Sequence, residues 1–275
     1  MRLFTFGDSW TEGIGGCIEE EYTTNIPEER TKIRHKYCWS KYLSDLLKIE
    51  FQNFGMGASS NKTIFDMVTQ SIHNHIINKD DLVVIMWSSS LRDELPFFPS
   101  HNPWHFWGER YLSKKHIYEF IIDKSELNKS DLHTNLKKEY KEFFIENLFS
   151  NFYYNIVNQN YIIYLQFMFE KIGIRYLFCD AFDNMIKEDI TAEIDKTSLI
   201  NKTHYWGFPN KTMKDILIES NLKNVWEDGN LWLNNKSGKH PSKYGYELMA
   251  NELYKWIIEK NILTYKTNKL NPNII

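Results

Sequence analysis

Short strand-like runs and longer helical periods alternate along this chain. Arg2–Phe6 is a brief apolar run that stops at Gly-Asp-Ser, and Glu50–Phe54 is a second, broken by Gly55 and Gly57. Leu82–Trp87 is continuously apolar and opens after Asp81; Ile174–Cys179 is similar and ends at Asp180. Uninterrupted runs of this kind fit strands covered on both faces. Between them, apolar positions recur every three or four residues. Trp39, Tyr42, Leu43, Leu46 and Leu47 predict a helix over Cys38–Lys48. Ile64, Met67, Val68 and Ile72 predict one over Asn61–Ile77, and residues 133–172 carry the same period as a pair of helices. Leu248, Met249, Leu253, Trp256 and Ile257 share one face of a long helix over Ser242–Ile262.

Strands alternating with helices imply a parallel sheet with helices on both faces, an α/β fold in three layers. Functional groups in such sheets gather at the carboxyl ends of the strands. No repeat or hinge-like linker divides the chain, so a single domain over residues 1–275 is expected, with a helical and loop-rich insertion at about 96–172. Residues 17–36 are polar and acidic, contain Pro27 and read as an insertion loop. Residues 95–116, rich in Pro, Trp, Phe and His, read as a structured loop over the strand ends. Residues 183–239 read as loop with short helices, and the last dozen as a loose tail.

Composition narrows the class. Hydrophobic residues make up 42% and charged residues 25%, the profile of a globular protein. The net charge of −3 makes no demand for nucleic acid or an anionic membrane. Cys17, Cys38 and Cys179 lack a CxxC pair, which fits buried thiols better than a disulfide framework or a zinc site. The first apolar run is too short for a signal-peptide core or a membrane span, so a cytoplasmic protein is the default expectation. Frequent Lys, Asn and Ile hint at an AT-rich source such as a virus.

Three segments at predicted strand ends carry chemistry. Gly7-Asp8-Ser9-Trp10-Thr11-Glu12-Gly13 follows the first strand. A serine in a tight strand-to-helix turn can project its hydroxyl into a cleft while its N–H faces a developing oxyanion. Asp and Ser also favour plain turns and helix caps. Asn53-Phe54-Gly55-Met56-Gly57-Ala58-Ser59-Ser60-Asn61 follows the second strand, where glycine lets backbone approach a ligand. As a dinucleotide loop it lacks the third glycine, Ser60 standing there. His240-Pro241-Ser242 precedes the last helix, a setting that suits a general base. Elsewhere His73 and His75 flank Asn74 near a helix end. His101 and His105 span Pro103, which disfavours the helix a metal pair would need.

Gly7-Asp8-Ser9, Gly57-Ala58-Ser59 and His240-Pro241-Ser242, in this order and at these strand ends, resemble the SGNH (GDSL-like) hydrolases over nearly the whole chain. The resemblance implies a flavodoxin-like sheet and a serine ester hydrolase. Ser9 would be the nucleophile, His240 the base, and the N–H groups of Ser9 and Gly57 would line the oxyanion hole. No metal or organic cofactor is needed for such acyl transfer. Two departures accompany it. The family places an Asn shortly after the third strand as a side-chain oxyanion donor, and Ser90, whose hydroxyl would donate to the oxyanion in its stead, occupies the matching position here. The run Trp87-Ser88-Ser89-Ser90-Leu91-Arg92-Asp93-Glu94 resembles a divergent branch of the family. In that branch Arg92 and Glu94 would shape the pocket, with Trp10 and Arg92 as substrate contacts; a plain surface ion pair is the alternative. The family motif Asp-x-x-His has Ser237 at its acidic position. Asp228, Asp180 or another carboxylate would then orient His240, or a backbone carbonyl would do so in a Ser–His dyad, or the protein would be an inactive binding or structural module on the same fold. The aromatic group Trp104, Phe106 and Trp107 could stack on sugar rings or fill the core. An O-acetylated carbohydrate, or another small ester, is the expected substrate.

Overall fold

The computed structural model describes residues 1–17, 26–57, 59–89, 151–185, 196–222, 232–233 and 240–264. Its sheet contains β1 (Leu3–Gly7), β2 (Phe51–Gly55), β3 (Leu82–Trp87) and β4 (Arg175–Asp180). The order is β2-β1-β3-β4, and every neighbouring pair is parallel. This matches the first four strands of the flavodoxin-like order. The chain builds to one side of β1 and then to the other. The crevice of such a sheet lies outside the carboxyl ends of β1 and β3.

Side-chain alternation sorts the core into two layers. Leu3, Leu82, Val84, Met86, Leu177 and Cys179 face one side of the sheet. Phe4, Phe6, Val83, Ile85, Trp87, Tyr176 and Phe178 face the other. The first layer is covered by α3 (Trp39–Leu47) through Trp39 and Leu43, and by the C-terminal helix Lys243–Glu259 through Tyr246, Met249, Leu253 and Ile257. The second is covered by α4 (Asn61–His73) through Ile64 and Val68, and by α5 (Asn151–Ile172) through Ile162, Leu165 and Phe169. Burying such side chains contributes roughly 1.5–3 kcal/mol each, so both helix layers are integral to the sheet's stability.

Several local expectations are revised. Residues 17–36, expected as a loop, contain helix α2 (Pro27–Arg34). Pro27 sits at its start, where a missing N–H has no intrahelical partner to lose, and Lys32 and Arg34 lie in its last turn, a favourable end for cations. Helix α4 stops at His73, short of Ile77, and His75 adopts φ 56, which ends the helical path. Helix α5 lies within the stretch expected as an insertion, yet it supplies part of the core. Beyond β4, the Trp206 N–H donates to Phe178 O at 2.8 Å, so the chain after the short turn Lys202–His204 runs along the β4 edge. Helix α6 (Met213–Leu222) follows. A two-residue strand, β6 (His240–Pro241), pairs antiparallel with β5 (Trp232–Leu233) and leads into α7 (Lys243–Glu259).

Candidate active site

The end of β1 is built around glycine. A Cβ on Gly7 would lie 2.1 Å from Thr11 Oγ1 and 2.8 Å from Met86 O, so no larger residue fits where the chain turns. Asp8 caps the following single turn, α1 (Ser9–Glu12), its Oδ1 accepting the Trp10 N–H at 3.0 Å. Its Oδ2 accepts from Ser88 Oγ at 2.7 Å, which ties the turn to the exit of β3. Asn61 fixes that exit from another direction. Its Oδ1 accepts the Ser88 N–H at 2.8 Å, and its Nδ2 donates to the carbonyls of Ser88 and Ser89 at 3.3 Å each.

The exit of β2 is held equally closely. A Cβ on Gly55 would come within 2.3 Å of the Glu12 backbone nitrogen, so α1 rests directly on this glycine. Asn53 Nδ2 donates to Thr11 O at 2.6 Å, and the Met56 N–H donates to Gly7 O at 3.0 Å. The Gly57 N–H, expected in the oxyanion hole, donates to Glu12 Oε2 at 2.6 Å. The other oxygen of Glu12 is paired with the Arg34 guanidinium.

His240 reaches this place from the far end of the chain. Its Nε2 lies 3.1 Å from Ser9 Oγ, within hydrogen-bonding distance. The helix that follows is anchored nearby. Ser242 caps α7, and Tyr246 OH donates to Ile14 O at 2.7 Å, just beyond the nucleophile turn. Ser9 and His240 are thus brought together at the carboxyl edge of the sheet.

Other expected site residues fall elsewhere. Trp10 was expected against substrate, but its side chain is 1% exposed and packs edge-on to Phe182 with ring centres 4.5 Å apart. The periodicity of α1 turns it into the layer below α7, which makes it a core residue. Asp180 lies at the end of β4, with Oδ1 accepting from Tyr205 OH at 2.6 Å and Oδ2 from the Met185 N–H at 3.2 Å. Neither oxygen is hydrogen-bonded to His240. Burial pushes this carboxyl up to about 7. Ser90, Arg92, Glu94, Asp228, Ser237 and the aromatic group Trp104, Phe106 and Trp107 lie outside the described residues. Sequence reasoning did not assign Glu12, Arg34 or Asn61. Glu12 and Asn61 stand inside the motifs, but Arg34 carries no signal, because only the folding of α2 brings it to Glu12.

No family model matches the chain, and no curated protein matches it. Solved structures do. One is a protein of the lipolytic G-D-S-L family from Desulfitobacterium hafniense DCB-2, with 13% identity, 93% of this chain and 98% of that chain covered, and a TM-score of 0.40. Another is a member of the lipolytic G-D-S-L family from Veillonella parvula DSM 2008, with 13% identity, coverage of 93% and 97%, and a TM-score of 0.34. Likenesses at this level add nothing to what the side chains of this chain bring together. Among the described residues, no helix is long and apolar enough to cross a membrane.

Proposed function

We propose that this protein is a serine ester hydrolase with Ser9 as nucleophile and His240 as general base. The observation that carries the reading is the 3.1 Å approach of His240 Nε2 to Ser9 Oγ across the sheet's carboxyl edge. Ser9 Oγ attacks the ester carbonyl while Nε2 takes its proton, which requires the imidazole to carry its own proton on Nδ1. The C–O bond of the tetrahedral adduct then breaks, and the proton passes from Nε2 to the departing alcohol. Water attacks the acyl-enzyme with His240 again as base, and the carboxylic acid leaves. The Ser9 N–H stands at the start of α1, where it has no intrahelical acceptor, and is the backbone donor assigned to the oxyanion. Small acetyl esters, O-acetylated carbohydrates among them, are the substrate class to test first.

Incubation with a chromogenic acetyl ester and with a fluorophosphonate probe tests the reading. Turnover is expected, with covalent labelling at Ser9. Folded protein that neither turns over the ester nor takes the probe would replace it with the second reading, a binding or structural module. The observation that favours this second reading is the engagement of the Gly57 N–H by Glu12, which removes an expected oxyanion donor.

A further inference from the structure

Glu12 lies one helical turn after Ser9, and its side chain is 11% exposed. One oxygen is paired with Arg34 of α2, and the other receives the Gly57 N–H at 2.6 Å. A single carboxylate therefore links three segments: the nucleophile turn, the end of α2 and the exit of β2. We infer that Glu12 is a positioning residue, holding the Gly57 turn against the Ser9 turn, and that the Gly57 N–H serves as an anchor and not as an oxyanion donor. The inference rests on Ser9 being the nucleophile of the reaction proposed above.

The physical case starts from the bond itself. A hydrogen bond from a backbone N–H to a carboxylate is charge-assisted and roughly twice as strong as a neutral one. Here it is sheltered from water, which would otherwise compete for both partners. A gate that swings aside for substrate is poorly served by this arrangement. Moving Glu12 would leave a charge without its hydrogen bond in a buried place and would break its pairing with Arg34 at the same time. The backbone beside it has little room to follow, since the Glu12 nitrogen lies against Gly55 with no space for even a Cβ. The ion pair has a second effect. A bare carboxylate one turn from Ser9 would oppose the negative charge that develops on the substrate, and the guanidinium offsets it.

Glu12→Ala tests this, with Glu12→Gln as a milder partner that keeps an acceptor oxygen but not the charge. Protein labelled with 15N-glycine reports exchange of the Gly57 amide. A fluorophosphonate reports the rate of Ser9 acylation, and an acetyl ester reports kcat and KM. In Glu12→Ala the Gly57 amide should exchange about tenfold faster or more, and acylation and kcat should fall about 10–100-fold with KM little changed. Formate, supplied in place of the lost carboxylate, should restore protection and rate together. Loss of fold alone would not respond in this way, and Glu12→Gln should fall between the two if Glu12→Ala folds poorly. Unchanged Gly57 exchange, or acylation as fast as wild type or faster, would overturn the inference while leaving the hydrolase reading intact. A wild type inert to probe and ester would overturn the hydrolase reading, and the inference with it.

Discussion

Ser9 stands at the end of a central strand buried along its whole length, whereas His240 enters on a two-residue strand 231 residues further on. The two sides of the candidate dyad are held by different means. Around Ser9, Asp8, Asn53, Asn61 and Glu12 direct hydrogen bonds to neighbouring strand exits, and Gly7 and Gly55 leave no slack between backbones. Around His240 the placement involves the pairing of β6 with β5, the docking of α7 in the layer that α3 also covers, and the tie from the Tyr246 hydroxyl. A nucleophile placed by hydrogen bonds between strand exits keeps its geometry once β1, β2 and β3 have come together. A base placed by the docking of a distant helix is correct only once the whole sheet layer has assembled.

Removing each side chain in turn gives the largest effects and sharpens this contrast. Ser9→Ala should abolish fluorophosphonate labelling and lower ester turnover by several orders of magnitude, because Ser9 Oγ is the hydroxyl that lies 3.1 Å from His240 Nε2. Its melting temperature should stay close to wild type, since the turn is held by its neighbours. His240→Ala should lower acylation by about 10²–10⁴-fold, the usual share of a general base. Labelling that survives Ser9→Ala unchanged would remove Ser9 from the mechanism. A His240→Ala variant as reactive as wild type would do the same for the histidine.

Asp180 probes the base side, because it is the described carboxylate among the acids considered for orienting His240. With its oxygens directed to Tyr205 and Met185, Asp180→Asn should leave acylation within a few-fold of wild type. A fall of about 10²-fold or more would make Asp180 the missing acid after rearrangement. The variant should also alter how stability depends on pH. Burial raises the carboxyl of the folded state to about 7, from an ordinary value of 3.8. Between those values the folded protein retains a proton that the unfolded chain has released, so stability falls as pH rises. The stability of wild type minus that of Asp180→Asn should therefore decline from about pH 4 to about pH 7, by a few kcal/mol in all, and then level off. Denaturant unfolding at stepped pH measures this, and a flat difference would show that Asp180 is not held protonated by the fold.

The contrast between the two sides also explains what was legible in the sequence. Strands β1, β3 and β4 were readable as apolar runs because both of their faces are buried, and the Gly7–Gly13 turn because its glycines and cap are contiguous. His240 was found through its motif, since nothing local to His240-Pro241-Ser242 states that it must face Ser9. Helix α2 was missed because its polar composition resembles a loop and its function as the source of Arg34 appears only on folding. Trp10 was misassigned because its proximity in sequence to Ser9 says nothing about which way a one-turn helix points it. That the Gly57 N–H donates to the carboxylate of Glu12 could not be read either, since the two lie 45 residues apart.

The smallest expected effect concerns the tie between the two sides. Tyr246 is buried in α7, and its hydroxyl donates to Ile14 O at 2.7 Å, two residues beyond the end of α1. Burial moves this phenol well above its usual range, so it stays protonated and keeps donating throughout the pH range of ordinary assays. Tyr246→Phe keeps the ring and its packing but leaves the Ile14 carbonyl without this donor. The loss is about 1–3 kcal/mol and should lower the melting temperature by about 2–6 °C. Because α7 begins just after His240, the same loss should loosen the angle at which the imidazole meets Ser9, and acylation should fall by about two- to tenfold. Ile14 also donates its N–H to Ser9 O at 3.0 Å, but the Ser9 turn is held as well by Asp8, Asn53 and Glu12, so the deficit should lie mainly in base-assisted attack and not in binding. Kinetics with a fluorophosphonate beside a thermal melt separate the alternatives. If stability falls while acylation does not, apolar packing of Met249, Leu253 and Ile257 alone sets the position of α7, and the hydroxyl serves only the fold.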